Sequence, residues 1–199
     1  MPSIYILLTK STTSVSRAIN LVTGAEYTHT SISIDNELNC FYSFSRKKKF
    51  LFPAGFVSED IESGYYQRHS NIPCALYELS VSDKVYSEIK NKLMEMRENA
   101  DYYRYNVVGL FLCYASISYD RPYHYFCSQF VGSLLENSGA ISFLKPVSAL
   151  HPDDFTGMAQ LKLLYKGKLK GLISYKKKMM KKETSSMPLP IFAYAANES

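Results

Sequence analysis

Tyr123-His124-Tyr125-Phe126-Cys127-Ser128-Gln129-Phe130-Val131 is the stretch on which the reading of this 199-residue chain turns. Beyond it the apolar residues Phe130, Val131, Leu134 and Leu135 fall on one helical face, and Gly139 supplies a stop. The spacing predicts a helix over residues 126–137 with Cys127 in its first turn. N–H groups of a first turn lack intrahelical partners, and the positive end of the helix dipole lies there, so negative charge on sulfur is stabilised. A cysteine in that position becomes a nucleophile near neutral pH. Its own backbone N–H also faces any oxyanion that develops beside it. The competing reading is a buried structural thiol, since free cysteine is among the most buried residue types. Cys113, inside the apolar stretch 106–116, fits that reading well; Cys127 fits it less.

A thiolate nucleophile needs an imidazole to take and return protons, and a third group to orient the ring. Tyr27-Thr28-His29-Thr30-Ser31-Ile32-Ser33-Ile34 alternates with period two, with Ile32 and Ile34 on one face and His29, Ser31 and Ser33 on the other. His29 therefore begins a strand on its polar face, where a rigid scaffold would hold a base, and ranks first. His124 is too close in sequence to Cys127, His151 stands in a Pro-Asp-Asp loop, and His69 lies in a polar loop. If Asp35-Asn36-Glu37 is a three-residue hairpin loop, Ile34 pairs with Leu38 and His29 falls opposite Ser43. Ser43 is then the candidate third member. A two-residue loop would instead set His29 opposite Phe44, beside Tyr42.

Around this core the chain reads as one α+β domain. Residues 4–8 form a short apolar run that suits a buried strand, and a short helix is expected over 14–22. Residues 38–45 form a second strand, 46–74 look loop-like, and 75–81 form a further strand. Ser82 caps an amphipathic helix with Val85, Ile89, Leu93 and Met96 inward. Residues 161–172 suggest a last strand pair around Gly167. The expected catalytic body spans residues 1–175, followed by a basic flexible tail over 176–199.

Composition excludes several classes. With 46% apolar and 21% charged residues, the chain is globular rather than disordered. The net charge of +5 divides into −2 over residues 1–161 and +7 over 162–199, so the protein is not a general nucleic-acid binder. Cys40, Cys74, Cys113 and Cys127 lack the spacing of a disulfide framework or a zinc site, so neither metal nor cofactor is expected. No export signal or spanning segment is visible, which points to the cytoplasm. Seventeen Tyr and eleven Phe without any Trp supply amphipathic aromatic surface of the kind found in clefts.

Thr28-His29 heading a Ser-Ile-Ser-Ile strand, followed by Tyr-Phe-Cys-Ser-Gln-Phe-Val on a helix, resembles the circularly permuted papain-like amidases of the YiiX/YaeF type. These are relatives of the NlpC-type cell-wall peptidases and of lecithin:retinol acyltransferase-like enzymes. The histidine strand precedes the cysteine helix in that group, as here, and Pro152-Asp153-Asp154-Phe155 resembles its Pro-x-Asp-hydrophobic segment. The resemblance covers roughly residues 4–156 and rests mainly on the cysteine motif. It implies an antiparallel sheet or barrel packed on the cysteine helix, and thiol hydrolysis or transfer at amide or ester carbonyls. Many relatives carry Glu or His as the orienting residue on the second strand. Here that segment is Asn39-Cys40-Phe41-Tyr42-Ser43-Phe44-Ser45, and a serine orients a ring without adding charge.

The expected function is a cysteine amidase or peptidase that works through an acyl-enzyme, with Cys127 and His29 reacting and Ser43 orienting. Tyr125, Ser128, Tyr42 and Arg46 are the candidate oxyanion and substrate-binding residues. Arg46-Lys47-Lys48-Lys49 would favour an acidic peptide or a cell-wall-like amide, whereas the Tyr and Phe content is compatible with a lipid ester or amide. A catalytically silent binding module on the same fold is the rival from another class. The Lys-rich tail from Lys176 to Lys182 mixes cations with Met and is a candidate for weak membrane-surface contact.

Overall fold

The computed structural model describes residues 1–10, 24–46 and 54–186. The expected helix over 14–22 and most of the basic run 46–49 lie outside the described residues.

Strand β1 (Ser3–Thr9) runs through the middle of a six-stranded antiparallel sheet. It is paired on one side with β2 (His29–Ser33) and on the other with β5 (Pro73–Ser80). Both faces of β1 are covered. Ile4, Ile6 and Leu8 enter the main core, while Tyr5 and Leu7 enter a second core on the opposite face. That double burial is why residues 4–8 read as an unbroken apolar run instead of an alternating one. Strands β3 (Phe41–Arg46) and β4 (Ala54–Glu59) extend the sheet beyond β2, and β8 (Lys162–Lys168) closes the far edge beside β5. A short parallel pair, β6 (Arg104–Tyr105) and β7 (His124–Tyr125), lies apart from the sheet. The architecture is α+β, as expected.

Helix α2 (Asp83–Glu98) begins where Ser82 Oγ accepts the N–H of Val85, and it buries Ile89, Leu93 and Met96 in the main core. Helix α3 (Val107–Tyr114) is capped by Asn106, whose Oδ1 accepts the Gly109 N–H at 2.8 Å. Helix α4 (Cys127–Asn137) lays Phe130, Val131, Leu134 and Leu135 across β2 and β3. Phe130 meets Phe44 and Phe56 at ring-centroid distances of 5.1 and 5.7 Å, so aromatic packing joins the cysteine helix to the second hairpin.

Four expectations are corrected. The connection between β2 and β3 is longer than three residues, and Ile32 pairs with Tyr42 instead of Ile34 with Leu38. The Asp35 carboxylate holds this loop open by accepting the N–H groups of Glu37 and Asn39, each at 2.9 Å. Leu38 takes a left-handed φ of 57° there, a strain offset by burial of its side chain in the second core.

The stretch 46–74 is not all loop, since it holds β4 and a short helix α1 (Gly64–Arg68). Pro53 and Gly55 read as loop residues, but β4 is an edge strand, and an edge strand tolerates them. Residues 161–172 hold one strand, β8, instead of a pair, and at Leu169 the chain turns directly into helix α5 (Leu169–Ser186). That helix runs through the boundary expected at residue 175: Leu169 and Leu172 are buried in the second core, and Lys176 is buried as well. Among the described residues, no helix is long and apolar enough to cross a membrane, and no three His, Cys, Asp or Glu residues group as metal ligands.

Candidate active site

Cys127 occupies the first position of α4, and its side chain is nearly buried. The residue before it, Phe126, has extended backbone and no side-chain acceptor, so nothing local caps the N–H groups of the first turn. Gln129 does the reciprocal work: its Oε1 accepts the Phe126 N–H at 3.3 Å and the Asn106 amide at 3.3 Å, while its Nε2 donates to Asp120 at 2.8 Å. This network ties the start of the cysteine helix to the cap of α3. Ser128 donates to the Leu150 carbonyl at 2.7 Å, which fixes the segment 147–150 against α4. Of the motif Cys-Ser-Gln, then, two residues hold the helix terminus in place and one is left with its sulfur facing the histidine.

His29 begins β2, and its Nε2 lies 3.1 Å from Oε2 of Glu59, at the end of β4. The Cys127 thiol is the other group that acts on the ring, raising its pKa alongside Glu59. With Nε2–H donated to a carboxylate, the neutral ring keeps its lone pair on Nδ1 for the thiol proton. Burial favours the neutral imidazole, yet the charge on Glu59, aided by Cys127, holds the ring well above its usual pKa of 6.5. Glu59 responds in the opposite sense. Burial would push its carboxyl up, and the neighbouring His29 outweighs it and holds the carboxyl below the ordinary 4.5. The side chains are 12% and 18% exposed, so the pair is sheltered but still open to a substrate.

Glu59 is itself held. Ser45 donates to its Oε1 at 3.2 Å, and Tyr66, buried on α1, donates to Oε2 at 3.2 Å. The start of β2 is fixed by the Pro-Asp-Asp-Phe segment: Asp153 accepts the N–H of Glu26 and of Tyr27, both at 2.8 Å, immediately before His29.

The structure brings together Cys127 and His29 from the expected set. Ser43 is not on the ring. Its hydroxyl donates to the Thr30 carbonyl at 2.7 Å inside the sheet, and Glu59 takes the place expected for it. Glu59 lies in a stretch that reads as loop from its sequence, and the acidic residue ending the pattern Ala-Gly-Phe-Val-Ser-Glu is the signal that marks it. Tyr42 stacks on Phe56 with centroids 5.8 Å apart, and its hydroxyl faces Cys40 and Arg97. Tyr125 packs among Phe44, Tyr103 and Phe130, and the charges acting on its hydroxyl are those of Lys92, Asp120 and Glu95. Two other phenols lie within electrostatic reach of the sulfur. Burial raises the pKa of Tyr105 and of Tyr114, and charge on Cys127 raises both further. The side chain of Arg46 lies outside the described residues.

No family model matches this chain, and neither a curated protein nor a solved structure matches it.

Proposed function

We propose that this protein is a cysteine-dependent hydrolase of amide or ester carbonyls, built on a permuted papain-like plan. The observation that carries the reading is one imidazole held between a buried carboxylate and a thiol at an uncapped helix N-terminus. That is the arrangement an activated thiol requires. His29 takes the Cys127 proton on Nδ1, and the sulfur attacks the carbonyl carbon. The first-turn N–H of Cys127 donates to the oxyanion. Collapse breaks the bond to the leaving nitrogen or oxygen, which takes the proton from His29. Water, losing its proton to the same nitrogen, then cleaves the thioester and restores the thiol. Glu59 keeps the ring in the required tautomer and stabilises the imidazolium that forms twice per cycle.

An electrophilic thiol probe tests this directly. Cys127→Ala should abolish labelling of the site, and His29→Ala should slow it by about 10²–10⁴-fold. Full labelling of the His29 variant would remove the assignment. The presence of Glu59 on the ring also weighs against a catalytically silent module, because it supplies an orienting acid.

A specific observation favours apolar acyl groups over acidic peptides. Helix α3, which carries Tyr114, presents Val108 and Phe111 to solvent at 57% and 61% exposure, with Ile117 at 51% just beyond it. This exposed apolar ledge lies on the helix whose Tyr114 feels the charge of the sulfur, and it suits an acyl chain. Turnover of long-chain against short-chain aryl esters, in wild type and Phe111→Ser, decides this reading. Equal preference in both proteins would count against it.

A further inference from the structure

We propose that Lys176, on the C-terminal helix α5, is a positioning residue for the His29–Glu59 pair, so that the basic segment belongs to the site's apparatus. The inference rests on the reading of His29 and Glu59 as a relay.

The geometry is as follows. Lys176 has a side chain only 6% exposed, unusual for lysine, whose charged head normally stays in water. Its ammonium donates to Asn39 Oδ1 at 2.7 Å and to Glu62 Oε1 at 3.0 Å. Asn39 belongs to the loop joining β2 to β3. Glu62 belongs to the turn joining β4 to α1. One buried charge on α5 thus fastens both loops: one follows the strand that carries His29, and the other follows Glu59 itself.

The turn 60–63 is tight and leads straight back to the relay. Asp60 accepts the Glu62 N–H on its carboxylate at 2.8 Å and the Ser63 N–H on its carbonyl at 3.3 Å. Ile61 is wholly buried in the second core beside Leu169 and Leu172 of α5. Three residues after Ser63, Tyr66 returns to donate to the same Glu59 oxygen that His29 contacts. Displacing the turn therefore displaces both Glu59, three residues upstream of Glu62, and the phenol that holds its carboxylate. Lys177 also meets Glu62, at 3.4 Å, but from solvent with 63% of its side chain exposed, so it supplies little of the restraint.

The test is an NMR titration of the His29 ring in the full chain, with the signal assigned by His29→Ala. The groups facing that ring are the Glu59 carboxylate and the Cys127 thiol. Lys176→Met should lower the His29 midpoint by about one pH unit and slow thiol-probe labelling about tenfold, and Lys176→Arg should restore most of both. Lys177→Met should change neither. Glu59→Gln sets the limit of the effect. If Lys176→Met abolishes the cooperative melt, Glu62→Gln is read in its place and should shift the midpoint in the same direction.

An unchanged His29 midpoint in the folded Lys176→Met or Glu62→Gln protein overturns the inference while leaving the relay intact. An ordinary His29 midpoint in wild type, unmoved by Glu59→Gln, overturns the relay and this inference with it.

Discussion

Nε2 of His29 and Oε2 of Glu59 stand 3.1 Å apart, although the two residues come from strands separated in the sheet by β3. Tyr66 and Ser45 donate to the same carboxylate and fix its orientation. The carboxylate thereby fixes the ring's orientation and stabilises its charged form, which is the form that pairs with a Cys127 thiolate. Everything proposed for the chemistry depends on that contact.

Glu59→Gln and Ser43→Ala separate the observed orienting residue from the one expected by register. Glu59→Gln removes the charge that holds His29 high, so the ring's midpoint should fall and probe labelling at neutral pH should slow by about 10–100-fold. Ser43→Ala removes only a bond to the Thr30 carbonyl. It should cost about 1–2 kcal/mol of stability and leave the labelling rate within about twofold. Parallel labelling and denaturation curves check both, and a large loss of labelling in Ser43→Ala would reverse the assignment.

The pair also sets a pH window for stability. His29 has a raised folded-state pKa, so its contribution is complete below 6.5 and is lost as pH rises through the folded value. Glu59 has a lowered one, so its contribution is complete above 4.5 and is lost as pH falls through the folded value. Between about 4.5 and 6.5 both are present. The stability difference between wild type and Glu59→Gln should therefore be greatest there, about 2 kcal/mol, and shrink on either side. Urea midpoints from pH 3 to 9 give the profile, and a difference that is flat with pH would contradict it.

Asp153 holds the chain just before His29. Asp153→Ala leaves the N–H groups of Glu26 and Tyr27 without their acceptor and should cost about 2–3 kcal/mol. Amide exchange at Tyr27 should accelerate at least as much as global unfolding requires, and probe labelling should fall because the start of β2 is released. Asp153→Asn keeps one acceptor oxygen, so it should fall between the two. Exchange at Tyr27 that is unaltered in Asp153→Ala would show that β2 is held by its sheet pairing alone.

The amino-acid sequence by itself determined the elements whose signals are local. The period of Phe130, Val131, Leu134 and Leu135 placed Cys127 in a first helical turn, the alternation around Ile32 and Ile34 put His29 at a strand start, and Ser82 marked the helix that follows β5. These follow from side-chain direction and capping, which act over a few residues. The partner of His29 was a different matter. Hairpin register depends on loop length, and the Asp35 side chain lengthened the loop that connects β2 to β3, which shifted the pairing to Ile32 with Tyr42. Glu59 reaches the ring only because β4 forms at the sheet edge and Tyr66 folds back on it. Likewise, the lysines after residue 175 look like a solvated tail until helix α5 buries Lys176 between Asn39 and Glu62. Contacts between residues 30 to 137 positions apart are set by how elements pack, and packing was what the tertiary structure alone decided.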